Sequence, residues 1–239
     1  MLDHRNAIST GHILTLEDPI EFLFRNKKSI VNQREIGNDA SDLTVALKNA
    51  LRQAPDCILI GEIRDKETMS AALAYAQSGH LVVATLHANN SYQALTRVIN
   101  FYPIENRQSL LADLSSSLRA IVSQRLVSAI DGKRRAAVEV MLNTRHIAEL
   151  IEQGEIALIK EAIEKSLSPG SQTFEQALMQ LIKDGVVTQD EALAHADSAS
   201  NLFWLLNNSA QAVEEEAPEQ EEASFTAVSY THLTLPTKA

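Results

Sequence analysis

At 239 residues with 45% hydrophobic side chains, the chain can bury one large core or two small ones, which excludes an intrinsically disordered protein for most of its length. The formal net charge of −10 is concentrated: six acidic residues lie in E-E-E-A-P-E-Q-E-E at 214–222, so the remainder is only mildly acidic and shows no general nucleic-acid surface. A single cysteine excludes an internal disulfide and fits a reducing compartment, and no apolar stretch approaches the roughly 18 residues that span a bilayer.

The opening M-L-D-H-R-N lacks the apolar segment of a signal peptide. The first strong signal is the apolar run at 13–16 within H-I-L-T-L-E-D-P, a predicted buried strand that stops at Glu17. Helical spacing over 41–53 follows, with Asn, Asp and Ser start signals at 38–42 and Pro55 behind it. The next apolar run, 57–60 in C-I-L-I-G-E-I-R-D, stops at Glu62, and Cys57 inside it is expected to be a small buried hydrophobe. A helix over 67–78 closed by Gly79, a strand over 81–86 that leads to His87, and a helix over 91–101 complete the alternation. This is the sequence form of an α/β fold with a parallel sheet and crossover helices.

A helix over 107–123 is expected to lead into I-V-S-Q-R-L-V-S-A-I, a turn at Asp131 and Gly132, and R-R-A-A-V-E-V-M-L, a hairpin closing the core. From Asn143 the spacing is helical only, with Gly154, Ser-Pro-Gly at 168–170 and Gly185 as breaks. The expected organisation is a core over 1–142, a helical subdomain over 143–207, and a disordered acidic tail over 208–239. Its last twelve residues, V-S-Y-T-H-L-T-L-P-T-K-A, change composition again and are expected to be foreign sequence.

Glu17 and Glu62 each stand where a predicted buried strand ends. If the strands are parallel, both acids share the sheet edge where ligands of α/β sheets bind, and a rigidly held carboxylate there suits a hard cation or a lytic water. One strand ending in Glu needs no function, since the chain has simply reached water. Two in one α/β pattern, followed by a strand that reaches His87, point to metal and phosphate chemistry. His80 stands at the other end of that strand, about 23 Å away in extended chain, so both histidines cannot touch one phosphate. Asp18 and Glu21 flank the first acid and would support the nucleotide site, although an Asp before Pro19 equally suits a turn.

H-I-L-T-L-E-D-P-I-E-F resembles the aspartate box, G-E-I-R-D the atypical Walker B motif, and G-H-L-V-V-A-T-L-H the histidine box of the type IV pilus and type II secretion ATPases. The resemblance runs from about residue 11 to 205, with the motifs in family order. Within the family, N-K-K-S-I-V-N-Q-R-E-I-G and A-L-K-N-A-L-R-Q-A-P-D resemble the pilus retraction branch. The segment H-I-A-E-L-I-E-Q at 146–153 has Ala148 and Glu152 where the principal retraction motor carries arginines, so the resemblance leans to the accessory retraction ATPase. Its Ile147, Leu150 and Ile151 also have the spacing of a core-facing helix. One cysteine cannot build the four-cysteine zinc module of many secretion and pilus-extension members.

The resemblance implies a RecA-like P-loop NTPase core and a hexameric motor with ATP and Mg²⁺ at subunit boundaries. It would act at the cytoplasmic face of the inner membrane with a sister retraction ATPase and a platform protein as partners, and no nucleic acid. Glu17 matches the residue that polarises the attacking water, and Glu62 the acid that holds Mg²⁺ through a water. His87 matches a γ-phosphate sensor; His80 belongs to the same family motif and would support the nucleotide, or else be structural or lie at a subunit contact. Arg34 and Arg52 fall in the family's N-Q-R-E and L-R-Q segments and would reach a neighbour's nucleotide, or else pair on the surface. Arg64 stands as a local partner for Glu62. The family's phosphate loop, G-x-x-x-x-G-K-[ST], occurs nowhere in the sequence. Met1 is therefore expected to be an internal methionine and this chain alone to be inactive. The competing readings are a non-catalytic ring or interaction subunit of the same machinery, and a type II secretion or pilus-extension ATPase.

Overall fold

The computed structural model describes residues 1–215, with side chains described to 208. The rest of the acidic run and the final twelve residues lie outside the described residues. Helix α1 (Leu2–Ile8) precedes two parallel strands, β1 (Gly11–Glu17) and β2 (Ser29–Glu35). Buried Asn6 ties α1 to the loop before β2, donating from Nδ2 to the Arg25 carbonyl at 2.8 Å and accepting from the Lys27 amide at 3.0 Å. Helix α2 (Leu43–Ala50) begins where the Asp42 carboxylate accepts from the Val45 amide, and it leads through a 3-10 turn at 51–53 to β3 (Cys57–Ile60). Asp65 caps α3 (Lys66–Gln77) in the same way, β4 (Leu81–Ala84) follows, and Asn90 caps α4 (Ser91–Asn100). These side-chain caps satisfy amides that the first helical turn leaves without carbonyl partners.

The four strands form one parallel sheet in the order β2-β1-β3-β4, as the alternating pattern predicted. Strand β2 was not foreseen as a strand. Its sequence S-I-V-N-Q-R-E is polar because it forms the sheet's outer edge, so it lacks the continuous apolar run of a central strand. β4 is shorter than the expected 81–86, yet the ladder continues irregularly: the Thr85 amide donates to the Ile60 carbonyl at 3.4 Å and the Thr85 carbonyl accepts from the Ile63 amide at 3.0 Å.

Helix α5 (Ile104–Ser117) ends earlier than the expected helix over 107–123. The Asn143 side chain donates to the carbonyls of Ser115 and Leu118 at 2.8 and 2.9 Å, which satisfies the helix end and lets the β-branched residues beyond pair as strands. Strand β5 (Ala120–Ser128) and β6 (Arg134–Leu142) form the predicted hairpin, but as a separate two-stranded sheet that does not extend the parallel one. Helices α6 (Arg145–Gln153) and α7 (Ile159–Glu164) come next, then α8 (Phe174–Lys183), α9 (Gln189–His195) and α10 (Ala199–Glu215). Gly154, left-handed at φ 77°, ends α6 as its sequence position suggested. α10 runs past the end expected near Asn207, so residues 208–215 are helix.

Two buried clusters organise the packing. In the first, Leu14, Leu16, Ile58 and Ile60 of the sheet meet α2 to α5 together with Ile147, Ile151 and Ile159 of α6 and α7. Each fully buried leucine or isoleucine stabilises by about 2 kcal/mol. In the second, Val127 and Ala137 from the hairpin's inner face pack on Phe174, Leu178, Ala192 and Leu202 of α8 to α10. The helical residues after Asn143 therefore do not share one core: α6 and α7 join the sheet, and the later helices join the hairpin. The core-facing spacing of Ile147, Leu150 and Ile151 is realised, since all three are buried.

Candidate active site

Leu16 pairs with Ile60 in register, so Glu17 and Glu62 emerge together from the C-terminal ends of adjacent parallel strands. Gly61 makes this approach possible. Its amide donates to the Leu16 carbonyl at 2.8 Å, and a Cβ there would lie 3.0 Å from that oxygen and 3.3 Å from Glu17 Cα. Side chains two apart on a strand share a face, so buried Thr15 stands beneath Glu17 and its hydroxyl donates to Glu17 Oε1 at 2.6 Å. Gln33 lies opposite Thr15 on β2 and donates to the same oxygen at 3.0 Å. Its amide is fixed in turn by the Phe22 carbonyl and the Phe24 amide, both at 2.8 Å. Glu17 is thus held by two neutral donors.

The surroundings of Glu62 are different. Its Oε2 accepts from Arg64 Nε at 2.5 Å, and its Oε1 lies 3.1 Å from His87 Nε2. Arg64 also reaches toward Asp18, with Nη1 3.9 Å from Oδ2, so four of the sequence-derived residues, Asp18, Glu62, Arg64 and His87, form one chain of contacts. The Glu62 side chain is 15% exposed while Arg64 and His87 are largely in solvent. The hydrogen bond to Glu62 holds the Arg64 guanidinium above its ordinary range, helped by the charge of the same carboxylate. Beside His87 a cleft of about 390 Å³ opens, walled by Tyr92, Thr96, Arg97 and Phe101.

The other predicted residues lie elsewhere. His80 stands at the opposite end of β4, its Nδ1 3.0 Å from Ser78 Oγ and 3.3 Å from the Tyr75 carbonyl. Arg34 lies on the outer strand, with Nη2 3.4 Å from Gln53 Oε1, and Arg52 is exposed on the turn beside that glutamine. Arg34 is therefore on the β2 side of the sheet and His87 on the β4 side, while Arg52 sits on the turn that leads into β3. Glu21 is exposed in the loop after β1. Sequence reading missed Thr15, Gln33 and Gly61. Thr15 was findable, two residues before Glu17 in a buried strand, whereas Gln33 required knowing that β2 pairs in this register.

Among the described residues no three His, Cys, Asp or Glu side chains converge as a metal-ligand set. No helix among them is long and apolar enough to cross a membrane. The profile of the type II/IV secretion system protein family matches residues 4–194. The chain belongs to that family. It is 53% identical over 207 residues to the type IV pilus ATPase PilU of Pseudomonas aeruginosa, covering 86% of this chain and 54% of that protein. To the type IV pilus retractation ATPase PilT of the same organism it is 41% identical over 202 residues, 84% of this chain and 59% of the relative. A crystal structure of the pilus retraction motor PilT with bound ADP superposes with a TM-score of 0.78 at 37% identity, over 85% of this chain and 58% of that one. The fold of this secretion-family chain is accordingly the RecA-like α/β ATPase fold of the PilT and PilU type. The chain spans 54% to 59% of the length of these curated relatives.

Proposed function

We propose that this chain is the acid-bearing part of an ATP-hydrolysing motor subunit that powers type IV pilus retraction, of the accessory rather than the principal kind. The observation that carries the proposal is the pair of strand-end acids, Glu17 and Glu62, brought together across Gly61 with His87 against one of them. Glu17 would act as the base that polarises the attacking water, because a carboxylate held by neutral donors keeps acceptor capacity for a proton. Each oxygen of Glu62 can accept beyond its bond to Arg64 or His87, which fits Mg²⁺ held through its own waters. Bound there, Mg²⁺ would neutralise charge on the β- and γ-phosphates.

His87, mostly exposed at the strand end, would turn toward the terminal phosphate, with Asp18 steadying Arg64 beside it. Arg34, on the β2 side of the sheet, and Arg52, on the turn that leads into β3, would serve a neighbouring subunit's nucleotide in a ring of six, and His80 would support such a contact. The core over 1–142 would work as one body with α6 and α7, which are buried on it. The sister retraction ATPase and an inner-membrane platform protein are the proposed partners, at the cytoplasmic face of the membrane.

The test uses a full-length protein that carries this chain. Glu17→Gln is expected to retain nucleotide binding while ATP turnover falls by about 10²-fold or more. Glu62→Gln is expected to raise the Mg²⁺ concentration needed for half-maximal turnover. Wild-type turnover in Glu17→Gln would remove the base from Glu17 and with it this assignment.

A further inference from the structure

Past Thr85 the chain leaves the sheet, carries His87, and turns into α4. The groups that hold this connection come from α4, the hairpin and the C-terminal helices. Arg97 donates from Nη1 to the His87 carbonyl at 3.1 Å. Glu139, buried on β6, accepts from the Ser91 amide and hydroxyl at 2.7 and 2.6 Å. Between these two anchors the link is made by a charged pair at the border of the second hydrophobic cluster.

That pair is Arg125 of β5 with Asp197, which lies between α9 and α10. The guanidinium stacks 4.0 Å over the Phe174 ring and gives Nη1 to the His195 carbonyl at 2.8 Å. Its Nη2 serves both Asp197 Oδ1 and, at 3.4 Å, the Asn89 carbonyl. The second Asp197 oxygen accepts from Asn90 Nδ2 at 3.2 Å, a contact across 107 residues of chain. Asn90 is also the cap of α4, where its Oδ1 accepts from the Gln93 amide at 2.9 Å. Arg125 and Asp197 are 20% and 18% exposed, so breaking the pair costs more than losing a surface ion pair. A planar guanidinium stacked on an aromatic ring is a rigid donor, and its geometry passes directly to Asn89 and Asn90.

We infer that Arg125, Asp197 and Asn90 are positioning residues that set His87 against Glu62 by fixing residues 89–90 to the C-terminal helices. The inference adds to the function proposed above, in which His87 and Glu62 belong to one site. Its test reads geometry and not turnover, so either can fail without the other.

In the 239-residue chain, Asp197→Ala is expected to speed amide exchange at Asn89 to Ser91 by about tenfold or more and to move the ring NMR signal of His87, assigned with His87→Gln. Asp197→Glu should restore part of the wild-type signal. Arg135→Met is the control: it breaks the Arg135–Asp131 pair, 2.8 Å long and at the turn of the same hairpin, without touching residues 87–91 or 197–198. It should leave the His87 signal in place. Should Asp197→Ala fail to fold, Asn90→Ser keeps a helix cap and removes only the Nδ2 donor, and the same shift is expected. An unmoved His87 signal in a folded Asp197→Ala or Asn90→Ser protein would overturn the inference, as would an equal shift in Arg135→Met.

Discussion

Gly61→Ala tests the closeness of the two strand ends. The added methyl would lie 3.0 Å from the Leu16 carbonyl oxygen, 3.3 Å from Glu17 Cα and 3.8 Å from the Asp18 amide nitrogen. All three are backbone atoms of β1 or the residue after it, and β1 is paired on both sides, so they cannot swing away like a flexible side-chain tip. Gly61 is not among the glycines with positive φ, so alanine meets no backbone strain and the contact alone sets the cost. Overpacking of this kind costs about 1–3 kcal/mol. Restricting the unfolded chain returns about 0.4–1 kcal/mol, which leaves a net loss centred on about 1.3 kcal/mol. With a urea m-value of about 2–3 kcal/mol/M, the unfolding midpoint should fall by about 0.5 M. Circular dichroism in urea measures this. An unchanged or higher midpoint at the same m-value would refute the claim that Gly61 is required by the approach of β1 to β3.

Burial pushes the Cys57 thiol up, against a smaller opposing pull from Arg5, so the native chain should react with a disulfide reagent at mildly alkaline pH only as fast as it unfolds. The folded state keeps the proton longer than the unfolded state. The contribution to stability is therefore full below the ordinary thiol range and is lost as pH rises through the raised folded value, and Cys57→Ala should flatten that loss; prompt native labelling would contradict it. Glu139→Ala leaves the buried Ser91 amide and hydroxyl without their acceptor and should destabilise by about 2–3 kcal/mol in thermal melts, with Glu139→Gln costing clearly less. Equal losses in the two variants would argue against the hydrogen bonds as the cause. Calorimetric titration of the 239-residue chain with Mg-ATP should show no saturation at micromolar nucleotide, because the sequence holds no phosphate-loop string to offset Glu17 and Glu62. Micromolar binding would show that phosphate donors exist elsewhere in it.

The central strands were legible because burial on both faces writes itself as unbroken apolar runs, as at 13–16 and 57–60. The edge strand β2 was not, since solvent on one side permits S-I-V-N-Q-R-E, and its pairing with β1 is a long-range fact that no local pattern records. The same blindness affected the site. Glu17, Glu62 and His87 were found from their places at strand ends, but Gln33, which orients Glu17, depends on that unseen register. Helix content after Asn143 was legible from spacing and glycine breaks. Which core each helix joins was not, because an amphipathic helix records that one face is buried without recording against what.

Glu17 and Glu62 are chemically identical side chains at equivalent strand ends, and their neighbours separate their roles. A carboxylate met by a hydroxyl and an amide gains orientation without gaining a counter-charge, and its remaining lone pairs stay free to accept from a water. A carboxylate pressed between a guanidinium and an imidazole is tied to cationic or switchable partners, which suits it to share a site with a hydrated cation and to sense who occupies it. In the proposed function, two acids in such different company would divide the labour of base and charge holder without any difference in residue type. His87 is the element that can change. It is largely exposed, touches Glu62 through one nitrogen, and is carried on a connection anchored by Arg97, Arg125, Asp197 and Glu139. Motion of the hairpin or of the C-terminal helices therefore has one route to Glu62 through that histidine, beside the route through the core that Met141 of β6 and Ile147 of α6 share with the sheet.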